Sequence, residues 1–183
     1  MQHQPRTARA LVRLGLTGAL LAGTLTAATT VTSADSRRVE VRMRDECEPA
    51  SFNAALGDGT CVGDGDVTFD EVLATLTPSI GGHEKWRNKP TSLKVKVGTT
   101  LHVVNQGGEA HSFTEVVAFG GGIVPPLNEA LPNHGLPLAE WIGDPHFVDA
   151  GHSTDVSGLS AGVHRFMCVI HPWMKTTVSV VRS

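Results

Sequence analysis

The sequence has no tyrosine, and aromatic residues make up only 5% of its 183 positions. Charge is scarce too: 18% of residues are charged, and acids outnumber bases by 18 to 15. Without a basic excess there is no electrostatic footprint of a nucleic-acid binder. No apolar run reaches the ~20 residues needed to cross a bilayer, which excludes a multispanning membrane protein. No 3.6-residue period is sustained and no internal repeat is evident, so helices are not expected to dominate. What remains is 40% hydrophobic with 20 Gly and 10 Pro, and it suits one compact domain with processing or linker segments.

The N-terminus lacks acids entirely before Asp35, while Arg6, Arg9 and Arg13 supply positive charge. An apolar stretch, Leu14–Ala28, follows, and small residues lead up to Ala34. Charge, a short hydrophobic run and a small-residue cleavage region are the three parts of a secretion signal. Residues 1–34 are therefore expected to be removed after Ala34, with Ala28 as the second choice. The stretch is too short and too rich in Thr for a stable anchor, so no membrane span is expected after cleavage. The remainder, at a formal charge of −6, is expected to be secreted or periplasmic.

Cysteine is limited to Cys47, Cys61 and Cys168, an odd number. In an oxidising compartment two of them are expected to pair. Cys47 and Cys61 lie 14 apart in a Gly-rich stretch, and closing such a loop is worth ~3 kcal/mol. Cys168 is left over. Around Cys61 the acids Asp64, Asp66, Asp70 and Glu71 cluster, but neither Asp58 nor Asp64 starts a run with calcium-loop spacing. They read as a solvated acidic surface.

From Ser79 onward the pattern is β. Leu93, Val95 and Val97 alternate with Lys94 and Lys96, and Gly98 closes that strand. Leu101–Asn105, His111–Val117, Val163–Cys168 and Thr176–Val181 read as further strands. Between them, Gly120–Ala150 has no period and reads as a long loop insertion, in which Gly120-Gly121-Gly122 is a flexible turn. Short strands separated by turns argue for an all-β sandwich over residues 79–183, preceded by an acidic, Gly-rich extension over 35–78.

The sharpest feature is Cys168-Val169-Ile170-His171-Pro172-Trp173-Met174. It puts a thiolate, an imidazole and a thioether three residues apart each, on a turn between two strands. Composition alone predicts about 0.003 such patterns in a chain of this length. A turn can aim all three donors inward, where a straight strand would scatter them over both faces. A second imidazole is needed from elsewhere, and His111, after Asn105-Gln106-Gly107-Gly108-Glu109-Ala110, is the natural choice. Two His and one thiolate with a weak axial Met form the blue-copper electron-transfer arrangement.

The ending from Gly162 to Met174 resembles the cupredoxins, the plastocyanin and amicyanin group. The short Cys-x2-His-x2-Met loop with Pro after the His is most similar to amicyanin. Asn105 followed six residues later by His111 matches the same family's first ligand segment. The resemblance covers roughly residues 86–183. It implies a Greek-key β-sandwich with one type 1 copper at one end, held by His111, Cys168, His171 and Met174. It also implies that the Ser112 amide bonds the Cys168 sulfur and that Asn105 ties the two ligand loops together. Many relatives carry aromatics where His164 and Met167 stand, and the His111–Cys168 interval is longer here than in the small members.

Other histidines (His83, His102, His134, His146, His152 and His164) match no local ligand spacing and read as structural or exposed. The function these features point to is an exported one-electron carrier cycling between Cu(II) and Cu(I), not an enzyme. The alternative is a copper storage or delivery protein without a redox role. Multicopper oxidases and nitrite reductases need His-x-His or His-Cys-His patterns, and neither occurs; a binuclear site needs a second Cys where Pro172 stands. Pro172 and Trp173 beside His171 are expected to form an apolar docking patch for a redox partner protein, with the ring edge of His171 nearest solvent as the electron's exit.

Overall fold

The computed structural model describes residues 37–132 and 136–182. The expected secretion segment 1–34, and His134, lie outside them.

The first element is one the acidic composition of its segment concealed. Val39, Val41 and Met43 alternate with Arg38, Glu40, Arg42 and Arg44, and this period-2 pattern makes strand β1, Arg38–Arg44. Two short helices follow, α1 (Pro49–Leu56) and α2 (Phe69–Thr75). In α1 the Glu48 carboxylate accepts the amides of Ala50 and Ser51 at 2.9 and 2.7 Å, and Pro49 opens the first turn. In α2 Thr68 and Glu71 form a reciprocal capping box. Then come β2 (Arg87–Lys89), β3 (Ser92–Lys96), β4 (Thr100–Asn105), β5 (His111–Ser112) and β6 (Thr114–Val116). The insertion contributes α3 (Pro125–Asn128) and β7 (Phe147–Val148), and the chain ends in β8 (Ser153–Val156), β9 (Gly162–Met167) and β10 (Lys175–Val181).

The strands form two four-stranded sheets, ordered β2-β1-β4-β8 and β3-β10-β9-β6, and a small third one, β5-β7. β1 runs parallel to β4, with Val41 opposite Val103; β10 runs parallel to β3, with Val180 opposite Val95. Parallel neighbours cannot be joined by a hairpin. The chain instead steps between sheets, as at the corner between β3 and β4, where Gly98 takes φ +86°. The inward faces of both sheets meet in one core containing Val41, Met43, Leu101, Val103, Val95, Phe166, Val178 and Val180. Phe113 and Phe166 stack at 4.4 Å across it. This is the all-β sandwich read from the turn-separated strands.

Three local expectations change. Residues 35–78 are not an appendage to a 79–183 domain: β1 lies inside the first sheet, and Cys47, Phe52, Cys61 and Val72 belong to the common core. Phe52 of α1 stacks on Trp86 at 5.8 Å and meets Phe69 edge-on at 5.3 Å, which brings both helices against the sandwich end. Second, the strand expected over His111–Val117 divides into β5 and β6, in different sheets, and residues 111–114 are all buried. Alternation fails there because both faces of that stretch are buried, with β7 paired along the edge of β5. Third, Gly120-Gly121-Gly122 is no flexible turn. It is buried, and a Cβ at Gly122 would overlap the Val169 carbonyl, which accepts the Ile123 amide at 2.7 Å. Cys47 and Cys61 are disulfide-bonded, as the cysteine count implied. No described helix is long and apolar enough to cross a membrane.

Candidate metal centre

The site forms where two tight segments meet at one end of the sandwich. Cys168 directly follows β9, and Met174 directly precedes β10, which pairs antiparallel with β9. The turn between them is closed by its own backbone: the Cys168 amide donates to the Met174 carbonyl at 3.0 Å, and the Met174 amide to the His171 carbonyl at 2.9 Å. That closure folds His171 back over Cys168. The other imidazole, His111, opens β5 and is anchored by β7.

His111, Cys168 and His171 are brought together with all donor atoms within 4.8 Å of one another, and all three are buried. Each Nδ1 lies 3.9 Å from the Cys168 sulfur, and the two Nδ1 atoms are 3.2 Å apart. Two imidazole nitrogens and one thiolate converging on one point fit a borderline-soft ion such as copper. Met174, fully buried, completes the turn.

No family model matches the chain, and no curated protein does. Among solved structures, a purple cupredoxin from Nitrosopumilus maritimus is similar over 78% of this chain and 99% of that one, at 16% identity and a TM-score of 0.42. A Cu(I) form of an amicyanin variant is similar over 52% and 73%, at 19% identity and TM-score 0.36. An oxidised amicyanin variant is similar over 50% and 70%, at 23% identity and TM-score 0.34. Likeness this loose transfers no residue roles, so the site stands on its own donors and sheets.

Around these donors the sandwich frame supplies hydrogen bonds to the sulfur. The Ser112 amide donates to Cys168 Sγ at 3.3 Å and the His171 amide at 3.4 Å. Burial opposes charge on Cys168, but hydrogen bonds from His111 and His171 and their charge outweigh it and hold the thiol well below its ordinary range. That shift favours the thiolate, the form that ligates a metal. The two ligand loops are tied by Ser112, whose Oγ accepts the Val169 amide at 2.8 Å. Asn105, expected in that role, instead braces its own loop and the insertion. Its Nδ2 donates to the Glu109 and Val148 carbonyls at 2.7 and 2.9 Å, and its Oδ1 accepts the Gly107 amide at 2.9 Å.

Sequence reasoning missed two carboxylates. Asp45 Oδ2 lies 2.7 Å from His111 Nε2, and both side chains are wholly buried. Burial lowers the pKa of His111, but the bond to Asp45 and the neighbouring Cys168 overcome it and push the imidazole up to about 9. Asp45 itself is resisted by burial, yet His111 and the amides of Gly108 and Cys47 keep it below the usual carboxylate range. Glu109 accepts the indole N–H of Trp86 at 2.6 Å and stands 3.7 Å from His171 Nε2; burial raises its pKa. The signal for Asp45 was in the alternation of β1. Val41, Met43, Asp45 and Cys47 occupy successive inward positions, and an inward carboxylate demands a partner.

The ring edge of His171 is not at the surface. The residue is 7% exposed, Pro172 is buried, and the Trp173 ring meets the imidazole edge-on at 5.6 Å. In place of a flat patch, a cavity of about 810 Å3 opens beside His171, with Phe52, Phe69, Trp86, Leu127 and Trp173 among its walls. The remaining histidines stay out of the site. His164 bonds Glu115 at 2.6 Å, His102 bonds Asp155 at 2.8 Å, and His83, His146 and His152 join no metal-holding group among the described residues.

Proposed function

We propose that this is an exported one-electron carrier, with a single type 1 copper held by His111, Cys168 and His171 and Met174 as the weak axial donor. The observation that carries the reading is the convergence of two imidazole Nδ1 atoms on the buried Cys168 sulfur, all within 4.8 Å of one another. When bound, the copper supplies reversible Cu(II)/Cu(I) exchange, and the chain's residues do the rest. The rigid turn and the Ser112 and Asn105 hydrogen bonds fix donor positions in both oxidation states, so little rearrangement accompanies electron transfer. Burial excludes water, which leaves no open position for a substrate; a role as an enzyme is not part of the reading.

A redox partner protein docks at the His171–Pro172–Trp173 end. Electrons pass through His171 and the adjoining Trp173, since the ring itself is covered. Export is supported by the Cys47–Cys61 disulfide, a bond that persists in oxidising compartments.

The test is the visible spectrum of the Cu(II)-loaded protein. An intense thiolate-to-copper charge-transfer band with a reversible potential is the expected result, and Cys168→Ser removes the band. A protein that takes up and hands over Cu(I) with no such band in the oxidised state would be a delivery protein instead.

A further inference from the structure

We infer that Asp45 is a positioning residue that tunes this copper site: by taking the Nε2–H of His111 it fixes Nδ1 toward Cys168 and shifts the couple toward Cu(II). The inference rests on the copper reading above.

The geometry identifies Asp45 as an anion with every acceptor position engaged. Oδ1 accepts the amides of Cys47 at 3.1 Å and Gly108 at 2.9 Å. Oδ2 accepts the Glu109 amide at 3.1 Å and faces His111 Nε2 at 2.7 Å. Three backbone amides aimed at the carboxyl favour its anionic form, and an anion 2.7 Å from Nε2 places the hydrogen on the nitrogen. His111 is thereby held with Nε2–H outward and Nδ1 inward. The pocket is shaped for a carboxylate: a Cβ at Gly107 would overlap the Asp45 side chain, and one at Gly108 would stand 2.6 Å from Cys47 Sγ.

A carboxylate's negative charge beside the far nitrogen makes the imidazole a stronger electron donor than a neutral acceptor would. Stronger nitrogen donation favours Cu(II) over Cu(I), which prefers soft sulfur. With both side chains sealed from solvent, no water screens the effect. The second imidazole lacks this support. Glu109 is 3.7 Å from His171 Nε2, beyond hydrogen-bond distance, and is already engaged by Trp86. The asymmetry assigns the tuning to His111. It also gives β1 and the disulfide, both outside the region of cupredoxin resemblance, a role at the metal.

Asp45→Asn keeps the shape and one oxygen acceptor but removes the charge. The Cu(II) affinity, read by competition with a Cu(II) chelator, should fall about 10- to 100-fold. Cu(I) affinity, read with a Cu(I)-specific chelator, should change less. Each tenfold of difference raises the potential by about 59 mV for a one-electron couple. A purely structural role for Asp45 would weaken both oxidation states together and leave the potential in place; that result overturns the inference. Should the variant fail to fold, nitrogen-15 NMR of the wild-type protein loaded with Zn(II) decides. A slowly exchanging proton on His111 Nε2 supports the inference, and an unprotonated Nε2 overturns it. Absence of the charge-transfer band in wild-type copper protein would sink the function and this inference together. A normal band with an unchanged Cu(II)/Cu(I) affinity ratio in Asp45→Asn sinks the inference alone.

Discussion

His111 is gripped from two sides, by a carboxylate on one nitrogen and a thiolate near the other, and this sets how metal uptake responds to pH. With its pKa pushed up to about 9, metal-free His111 holds a proton near neutrality, while the same contacts hold the Cys168 thiol well below its ordinary range. A metal must displace the imidazolium proton, so apparent affinity should rise with pH and level off above about 9. Titration with Zn(II) across pH 6–10, with proton release measured in a weakly buffered solution, checks this; affinity independent of pH would contradict it. Met174→Leu should keep copper bound and raise the potential, because a weak axial donor contributes little to affinity but stabilises Cu(II). Voltammetry reads the shift. His164 offers a second pH response. Burial disfavours its charge, but the bond to Glu115 outweighs this and raises the pKa above 6.5. Its stabilising contribution is full below that value and fades as pH rises through the folded-state pKa. Urea midpoints of wild type and His164→Gln should therefore differ at pH 6 and converge in alkaline solution. At this scale the cluster of His111, Cys168 and His171 was legible because Cys, His and Met in one turn are chemically conspicuous. Asp45 escaped because a single acid in an acidic segment looks solvated, unless its register along the strand is counted.

At the scale of elements, the legible strands were those whose faces see different environments. β4 and β10 alternate buried with partly exposed residues along their length, and the alternation in sequence follows. The division between β5 and β6 stayed hidden because residues 111–114 are all buried, which erases the period at the break. The helices α1 and α2 escaped for another reason. Each has seven or eight residues, too few to display a helical stripe, and what defines them is the cap: Glu48 before one, Thr68 with Glu71 at the other. Their packing is nonetheless substantial. Phe52, 2% exposed and stacked on Trp86, anchors α1, and Phe52→Ala should cost about 3–5 kcal/mol in a urea unfolding experiment. The Gly107-Gly108 bend belongs to the same argument. A Cβ at Gly108 would press on the disulfide sulfur of Cys47 and the backbone of Gly63. Gly108→Ala should lower stability by about 1–3 kcal/mol and disturb the copper spectrum as well, since this bend carries two of the amides that hold Asp45.

Across the whole molecule, the sandwich class was readable from strand spacing, whereas the place of residues 38–72 was not. Parallel pairing between β1 and β4 joins segments about sixty residues apart, and no local pattern announces a long-range partner. Removing the Cys47–Cys61 bond, as in the double Ala variant, should lower stability by ~3 kcal/mol, measured against wild type in urea. Copper itself should act on the same equilibrium. An ion that binds only the folded chain adds about 2.7 kcal/mol at a free concentration one hundred times its dissociation constant, so a chelator should lower Tm reversibly. The pairing of β1 inside the first sheet has a wider consequence. The metal-holding group at 111, 168 and 171 is joined by a brace at 45, so capture of an ion is deferred until early and late strands have both been seated. A chain interrupted partway offers a metal nothing durable to hold, and metal uptake would then serve as a readout of completed assembly.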